Sequence, residues 1–574
     1  MNALEGLNAQ QQQAAMAGDG PVVIVAGPGT GKTKTLTARI AYLVCQEAVK
    51  PEQILALTFT KKAAEEMQMR VGSLLGIGQE SKPVISTFHS LCHEILANEA
   101  QFVTEPQRLQ LIKALPRPAA LKGLSARELG LLISRTKNMA EDNANLRRIT
   151  KAYDVALHQQ DLIDYDDLLA QTYALLTKDA KRRAEIQARF AYILVDEFQD
   201  TNRLQYEILL LIKGNDNVFV IGDPNQSIYG FRGASGDIFA QFIKDFPKAK
   251  QITLTTNYRS APEVVRLSNA LFTDAPQLDA HSTLAGQVRA VQVLNEYSEA
   301  AWVLTEIQNA IGGGDLLHAV SDSSHGTERS LKDFAVLYRS RAAATTIQKL
   351  IQESGLPYQV VGDGSPYDRP QVQATIALMR ACLAGDQPPH EGFTKAEWKA
   401  VLNLIQQNEQ VSPHALAVHI TTVLDFKLDI ALQQFLGTLV RFGNLNDAVA
   451  YFNDIARQNF YDPAADAITL LTIHASKGLE FPYVFLVGAE DGILPHTNAD
   501  AHEEKRLLYV AATRAKHHLD ILYTQRRGGQ PAQLSSFITD VPPDILPKIT
   551  DPHLESDKRR AVKRAVKRSQ QSLF

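Results

Sequence analysis

The sequence predicts an α/β protein of two parallel-sheet lobes, each interrupted by a helical insertion. Three observations carry that expectation. Short apolar runs recur along the chain in two sets, continuous rather than alternating, as strands buried on both faces are. Each set is broken by a long stretch of helical periodicity, at about residues 90–190 and 384–465. The length, 574 residues, exceeds one ordinary domain of roughly 100–200 residues.

The first set comprises PVVIVAG (21–27), ILALTFT (54–60), PVISTFH (83–89), YILVDEF (192–198), VFVIGDP (218–224) and ITLTTNYR (252–259). RAVQVL (289–294), FAVLYRS (334–340), YQVVGD (358–363), ITLLTIH (468–474), YVFLVGA (483–489) and HLDILYT (518–524) form the second. This spacing places a first lobe at 1–262, a second at 263–545 and a basic tail at 546–574. Residues 312–330, rich in Gly, Ser and His, read as an exposed loop.

Composition narrows the class. Hydrophobic residues at 45% and charged residues at 21% suit a globular chain and exclude a disordered or fibrous one. Cys45, Cys92 and Cys382 lie too far apart for a CxxC zinc site, and a reducing cytoplasm is expected. No apolar run approaches the ~20 residues that span a bilayer, and the amino terminus has no signal-peptide core. A net charge of −4 conceals a tail (Lys558–Arg568) with seven basic residues and no acid. Any phosphate-binding groove must therefore be local, and the tail is a contact for the DNA backbone, a contact for an acidic partner, or a solvated end.

The strongest local signal is Ala26-Gly27-Pro28-Gly29-Thr30-Gly31-Lys32-Thr33, directly after an apolar run and opening a helical pattern. Glycines let backbone N–H groups turn inward around phosphates; Lys32 would reach the β- and γ-phosphates and Thr33 would ligate Mg²⁺. Ala26 stands where the strict pattern has Gly. The run Ile193-Leu194-Val195 ends in Asp196-Glu197, which sets two carboxylates at the sheet edge where a phosphate loop also lies. Asp196 would hold Mg²⁺ through water, and Glu197 would orient and deprotonate the attacking water. Together the two signals predict a nucleoside triphosphatase.

Asp196-Glu197-Phe198-Gln199-Asp200-Thr201 is more specific than an acid pair, and with it the chain resembles the UvrD/Rep/PcrA group of superfamily 1 DNA helicases from Leu7 to about Tyr523. The resemblance implies two RecA-like lobes of the P-loop triphosphatase class, with ATP between them. It implies Gln11 (in Leu7–Gln11) as the reader of adenine. Leu57–Ala64 and Ser86–Ser90 match first-lobe DNA motifs, implying Phe59, Thr60 and His89 as DNA contacts. Gly222–Gly233 matches the coupling motif, with Gln226 sensing the γ-phosphate and Tyr229, Phe231 and Arg232 meeting DNA. In Asn257–Ser260, Tyr258 would stack on adenine and Arg259 would contact the γ-phosphate. Thr472–Phe481 implies Thr472 and His474 on DNA and Glu480 at the ribose. Tyr509–Ala515 implies Arg514 as a second arginine finger. Leu162–Leu169, inside the first insertion, also resembles the family.

General chemistry supports two of these implications. Guanidinium groups fork two phosphate oxygens, and arginines that meet the γ-phosphate add ~10³–10⁵ in rate in related enzymes. Bases of single strands stack on aromatics for ~1–3 kcal/mol each.

Departures from the family pattern are Lys34 where Arg is usual beside the adenine-stacking Tyr, Phe231 where Trp is usual, a short second insertion and an abbreviated basic extension. The expected activity is an ATP- and Mg²⁺-dependent 3′→5′ helicase or translocase on single-stranded DNA and duplex junctions, in repair or replication. A translocase that strips proteins without processive unwinding, favoured by the short insertion, and an ATP-gated DNA clamp are the alternatives.

Overall fold

The computed structural model describes residues 3–76, 81–97, 101–141, 143–234, 236–312, 329–361, 369–384, 398–399, 402, 412–456 and 461–552. The basic tail from 553 and most of the loop at 312–330 lie outside the described residues.

The architecture is α/β with two large sheets. In the first, β1 (Val22–Ala26), β2 (Ile54–Thr58), β3 (Val84–Thr87), β4 (Tyr192–Val195), β5 (Val218–Gly222) and β6 (Lys250–Leu254) pair in parallel in the order β3-β2-β4-β5-β1-β6. Their continuous apolar runs divide between two cores, one on each face. Val23, Leu55, Leu57, Ile193, Val195 and Val220 enter one; Val22, Ile24, Ile54, Ala56, Leu194 and Ile221 enter the other. Fully burying each such side chain contributes about 1.5–3 kcal/mol, so alternation would have removed one of the two cores.

Register then positions the chemistry. Val25 of β1 pairs with Gly222 of β5, and Val195 of β4 with Val220 of β5. The turns that follow β1, β4 and β5 therefore emerge side by side at the carboxyl edge. Two flanking helices matter there: α1 (Ala9–Ala15) and α2 (Lys32–Cys45). Buried Arg39 of α2 donates to the carbonyls of Ala15 and Gly18 at 3.0 and 2.7 Å, tying the amino-terminal segment down.

Between β3 and β4 the chain is almost wholly helical, with helices from Phe88–Leu96 to Ala180–Arg189. This insertion has its own core, including Ile112, Leu129, Ile133, Ile149, Tyr153 and Leu157.

The second sheet comprises β7 (Gln287–Val293), β8 (Phe334–Tyr338), β9 (Tyr358–Val361), β10 (Ile468–Thr472), β11 (Phe481–Val487), β12 (Ala515–Thr524) and β13 (Lys548–Thr550), ordered β9-β10-β8-β11-β12-β7-β13. The short β13 has no apolar run and was not expected. The second helical insertion has a separate core that starts at Val372 and includes Met379, Leu416, Phe435 and Phe452. Its first helix, Pro370–Ala384, thus precedes the expected boundary at 384.

Contacts divide the chain into two units. The first holds 1–288, 495–517 and 540–546; the second holds 289–494, 518–539 and 547–574. The sequence reading ended the first lobe at 262 and gave the whole of 263–545 to the second. Among the described residues no helix is long and apolar enough to cross a membrane, and the three cysteines are free.

Candidate active site

β1 ends at Ala26, and the chain turns through Gly27–Gly31 into the amino terminus of α2. Gly31 caps α2 with φ 82° and ψ 34°, a left-handed conformation that strongly favours glycine. The free amides and dipole of a helix amino terminus make this turn fit for phosphate. Lys32 Nζ donates to the carbonyls of Ala26 and Gly27, both at 3.2 Å, so its ammonium lies over the loop. Thr30 Oγ1 donates to Gly27 O at 2.8 Å, and Thr33 follows on the first turn of α2, half-buried.

Gln11 closes the loop from outside. Its Oε1 accepts the Asn8 N–H at 3.0 Å, completing the capping box of α1, while its Nε2 donates to Thr30 O at 2.9 Å. The residue expected to read adenine thus ties the helix cap through its oxygen and the phosphate loop through its nitrogen. Tyr258 is 42% exposed; its hydroxyl accepts from Asn8 Nδ2 at 2.8 Å and its ring lies 4.7 Å from that of His281. Lys34 sends its ammonium to Gly6 O at 2.6 Å.

The acids are coupled to this loop. Asp196 is buried and its Oδ1 accepts the Glu197 N–H at 2.9 Å. Burial, and then repulsion from Glu197, push its carboxyl above the usual carboxylate range, with Lys32 pulling it back. Glu197 is itself left-handed, at φ 48°, uncommon for a residue with a Cβ. Its Oε2 accepts from Gln199 Nε2. Gln199 Oε1 accepts the Asp223 N–H at 2.9 Å, and Asp223 Oδ2 accepts from Gln226 Nε2 at 2.8 Å. A hydrogen-bonded path therefore joins the turn after β4 to the turn after β5.

Both arginines lie in the same unit as this path. Arg514 is 1% exposed; its Nε donates to Val510 O at 2.9 Å, and its Nη2 lies 3.0 Å from Thr513 Oγ1 and 3.5 Å from Gln226 Oε1. Arg259 Nη1 reaches Thr513 O at 3.4 Å. Asn257 ties the Arg259 segment to the loop: its Nδ2 donates to Pro28 O at 2.8 Å and its Oδ1 accepts the Arg259 N–H at 2.9 Å. Tyr258 N donates to Gly29 O at 2.9 Å. The expected boundaries put Arg259 in the first lobe and Arg514 in the second. Contacts group both arginines with the phosphate loop: Arg514 Nη2 lies 3.5 Å from Gln226 Oε1, Ser260 Oγ donates to Ala515 O at 2.9 Å, and the backbone of Lys516 accepts from Ala261 at 2.7 Å.

Two aromatic rows lie beyond the acids. Phe59 stacks on Tyr229 at 5.0 Å and 16°, and Tyr229 meets Phe231 edge-on at 6.0 Å. Phe231 is 36% exposed. Arg232 closes that turn, its side chain outside the described residues. Thr60 caps the helix Lys61–Leu75 by accepting the Ala63 N–H at 3.1 Å. In the second row, His89 meets Tyr165 edge-on at 6.2 Å, and Tyr165, 63% exposed, stacks on Phe102 at 4.8 Å.

Thr472, His474 and Glu480 belong to the second unit. Thr472 ends β10 and its Oγ1 accepts the Ala475 N–H at 3.2 Å. His474 is half-buried in that turn, and Glu480 is exposed just before β11. Also in this unit, Glu306, His518 and Asp520 converge within 4.8 Å. Arg289 and Trp302 occupy the Asp520 oxygens at 2.7–2.9 Å, so the group is an ion-pair network.

Comparison with known proteins now decides the family. Residues 7–247 match the UvrD/REP helicase N-terminal domain; 252–387 and 401–526 match the UvrD-like helicase C-terminal domain. The ATP-dependent DNA helicase PcrA of Bacillus subtilis is 30% identical, across 96% of this chain and 87% of that protein. This chain belongs to the UvrD/REP helicase family. The ATP-dependent DNA helicase UvrD1 of Mycobacterium tuberculosis is 29% identical across 95% of the chain and 86% of its own length. A PcrA from Leuconostoc citreum is 29% identical across 94% and 85%.

Within this UvrD/REP helicase several site residues escaped sequence reasoning. Gln199, Asp223, Asn257 and Tyr509 join the predicted residues to one another. One signal was available for the first three: each is a polar residue within a few positions of the end of a buried strand. Tyr509 carried none, since its partner Asp223 is remote in sequence.

Proposed function

We propose that this UvrD/REP family member is an ATP-dependent DNA helicase that moves 3′→5′ along single-stranded DNA, in repair or replication. The observation that carries the reading is the hydrogen-bonded path Glu197–Gln199–Asp223–Gln226, which ends in the loop that continues to Tyr229 and Phe231. Turnover at the acids and stacking of bases on the aromatics thereby share one covalent and hydrogen-bonded element.

ATP's phosphates meet the loop amides and Lys32, and Tyr258 takes the adenine. Glu197 draws a proton from the attacking water, while Arg259 and Arg514 stabilise charge building on the γ-phosphate. Oxygen donors from Thr33 and the buried Asp196 suit a hard divalent cation; these two would hold Mg²⁺, which neutralises phosphate charge. Loss of the γ-phosphate frees Gln226 to shift, and the aromatic turn exchanges its base.

ATP hydrolysis with and without a short single strand tests this reading, using the wild type beside Glu197→Gln. Strong DNA stimulation of the wild type is expected, with nucleotide binding retained and turnover reduced about 10²–10⁴-fold in the variant, as for loss of a general base. Wild-type hydrolysis indifferent to DNA would overturn the motor; undiminished turnover in the variant would overturn the role of Glu197.

A further inference from the structure

One side chain in the first unit connects the two ends of the proposed machinery and has no part in either. Helix α3 (Ala501–Ala512) begins at Asp500, whose side chain accepts the Glu503 N–H at 2.8 Å. Glu503 lies on the first turn of this helix, and its Oε1 accepts the Gly230 N–H at 3.1 Å. Gly230 sits between Tyr229 and Phe231, and a Cβ there would run into Glu503 Oε2. The carboxylate thus fills the space that a side chain on the turn would need. Burial raises the Glu503 carboxyl, and the Gly230 N–H works in the opposite direction.

The other end of α3 reaches the nucleotide residues. Arg514, two residues past the helix end, lies 3.5 Å from Gln226 Oε1, and the buried Tyr509 hydroxyl is raised by burial and by the Asp223 charge. Between these ends the helix is anchored by Lys505 over the Phe272 ring at 5.1 Å and by Phe272 edge-on to Tyr509 at 5.3 Å. Twelve helical residues make a rod of about 18 Å, which transmits a shift at one end to the other rather than absorbing it.

We propose that Glu503 is a positioning residue: through its bond to the Gly230 amide, α3 registers whether the Tyr229–Phe231 turn carries a base and sets Arg514 against Gln226 accordingly. This rests on the helicase reading above. It goes further by assigning the DNA dependence of turnover to one carboxylate that touches neither substrate.

The test compares steady-state ATP hydrolysis of wild type, Glu503→Ala and Glu503→Gln, with and without a short oligothymidylate. Glu503→Ala should lose about tenfold in DNA-stimulated kcat, the size expected for one charge-assisted hydrogen bond. Its turnover without DNA and its KM for ATP should stay within about twofold of wild type. Glu503→Gln keeps an oxygen that accepts the Gly230 N–H and should retain most of the stimulation. Full stimulation in Glu503→Ala would overturn the proposal, as would an equal loss with and without DNA, or Gln failing as badly as Ala. If wild type itself shows no stimulation, the helicase reading fails instead.

Discussion

A methyl group at position 31 would meet two obstacles. The left-handed φ of 82° costs an L-residue roughly 1–2 kcal/mol, and a Cβ would lie 2.6 Å from Gln11 Nε2. Gly31→Ala should therefore weaken nucleotide binding about tenfold or more, as measured by titration with a fluorescent ATP analogue; unchanged affinity would show that the loop does not hold the phosphates in this form. At this scale much was legible. Gly31, Lys32 and Asp196 announce themselves because their chemistry needs those residue types beside a buried strand. Gln11 was reached only through the family resemblance, because a glutamine that caps a helix and one that reads a base look alike in sequence. Nor did Lys34, whose ammonium goes to Gly6 O, betray its partner: the bond spans 28 positions.

Among the elements, the first helical insertion depends on a charge buried within it. Lys137 Nζ lies 2.8 Å from Asp154 Oδ1, 3.0 Å from Asp164 Oδ2 and 2.7 Å from Asp167 Oδ1, with its side chain 3% exposed. Burial opposes its charge, but Asp164, Asp167 and Asp154 outweigh that and hold the ammonium above the usual lysine range. Asp164 also caps the helix Tyr165–Lys178, so the same network sets the position of Tyr165. Removing one partner from such a group leaves buried charge uncompensated. Lys137→Met should cost about 3–5 kcal/mol in urea denaturation; a loss below about 1 kcal/mol would show that water already reaches the site. Strands were readable because burial on both faces writes an unbroken apolar run. Lys548–Thr550 has no such run, since it is a short strand pairing only with β7. The start of the second insertion core at Val372 was missed because Pro370–Ala384 reads as a continuation of the α/β pattern.

For the molecule as a whole, chain order and spatial grouping part company. Residues 495–517 follow five strands of the second sheet yet group with the first unit. Only long-range bonds such as Gly230–Glu503 and Ser260–Ala515 reveal this, so no linear reading could draw the boundary. The direction of travel is a property at this scale too. A partial duplex with a 3′ single-stranded tail should be unwound, and its 5′-tailed counterpart left intact, in a strand-displacement assay; equal separation of both would remove the polarity. Helix α1 belongs to no strand and carries no phosphate-binding glycine, so it looks expendable when an expression fragment is chosen. Cutting the reading frame just before β1 would preserve every strand and still release the clasp that Gln11 keeps on Thr30, yielding a soluble-looking product with a slack pocket.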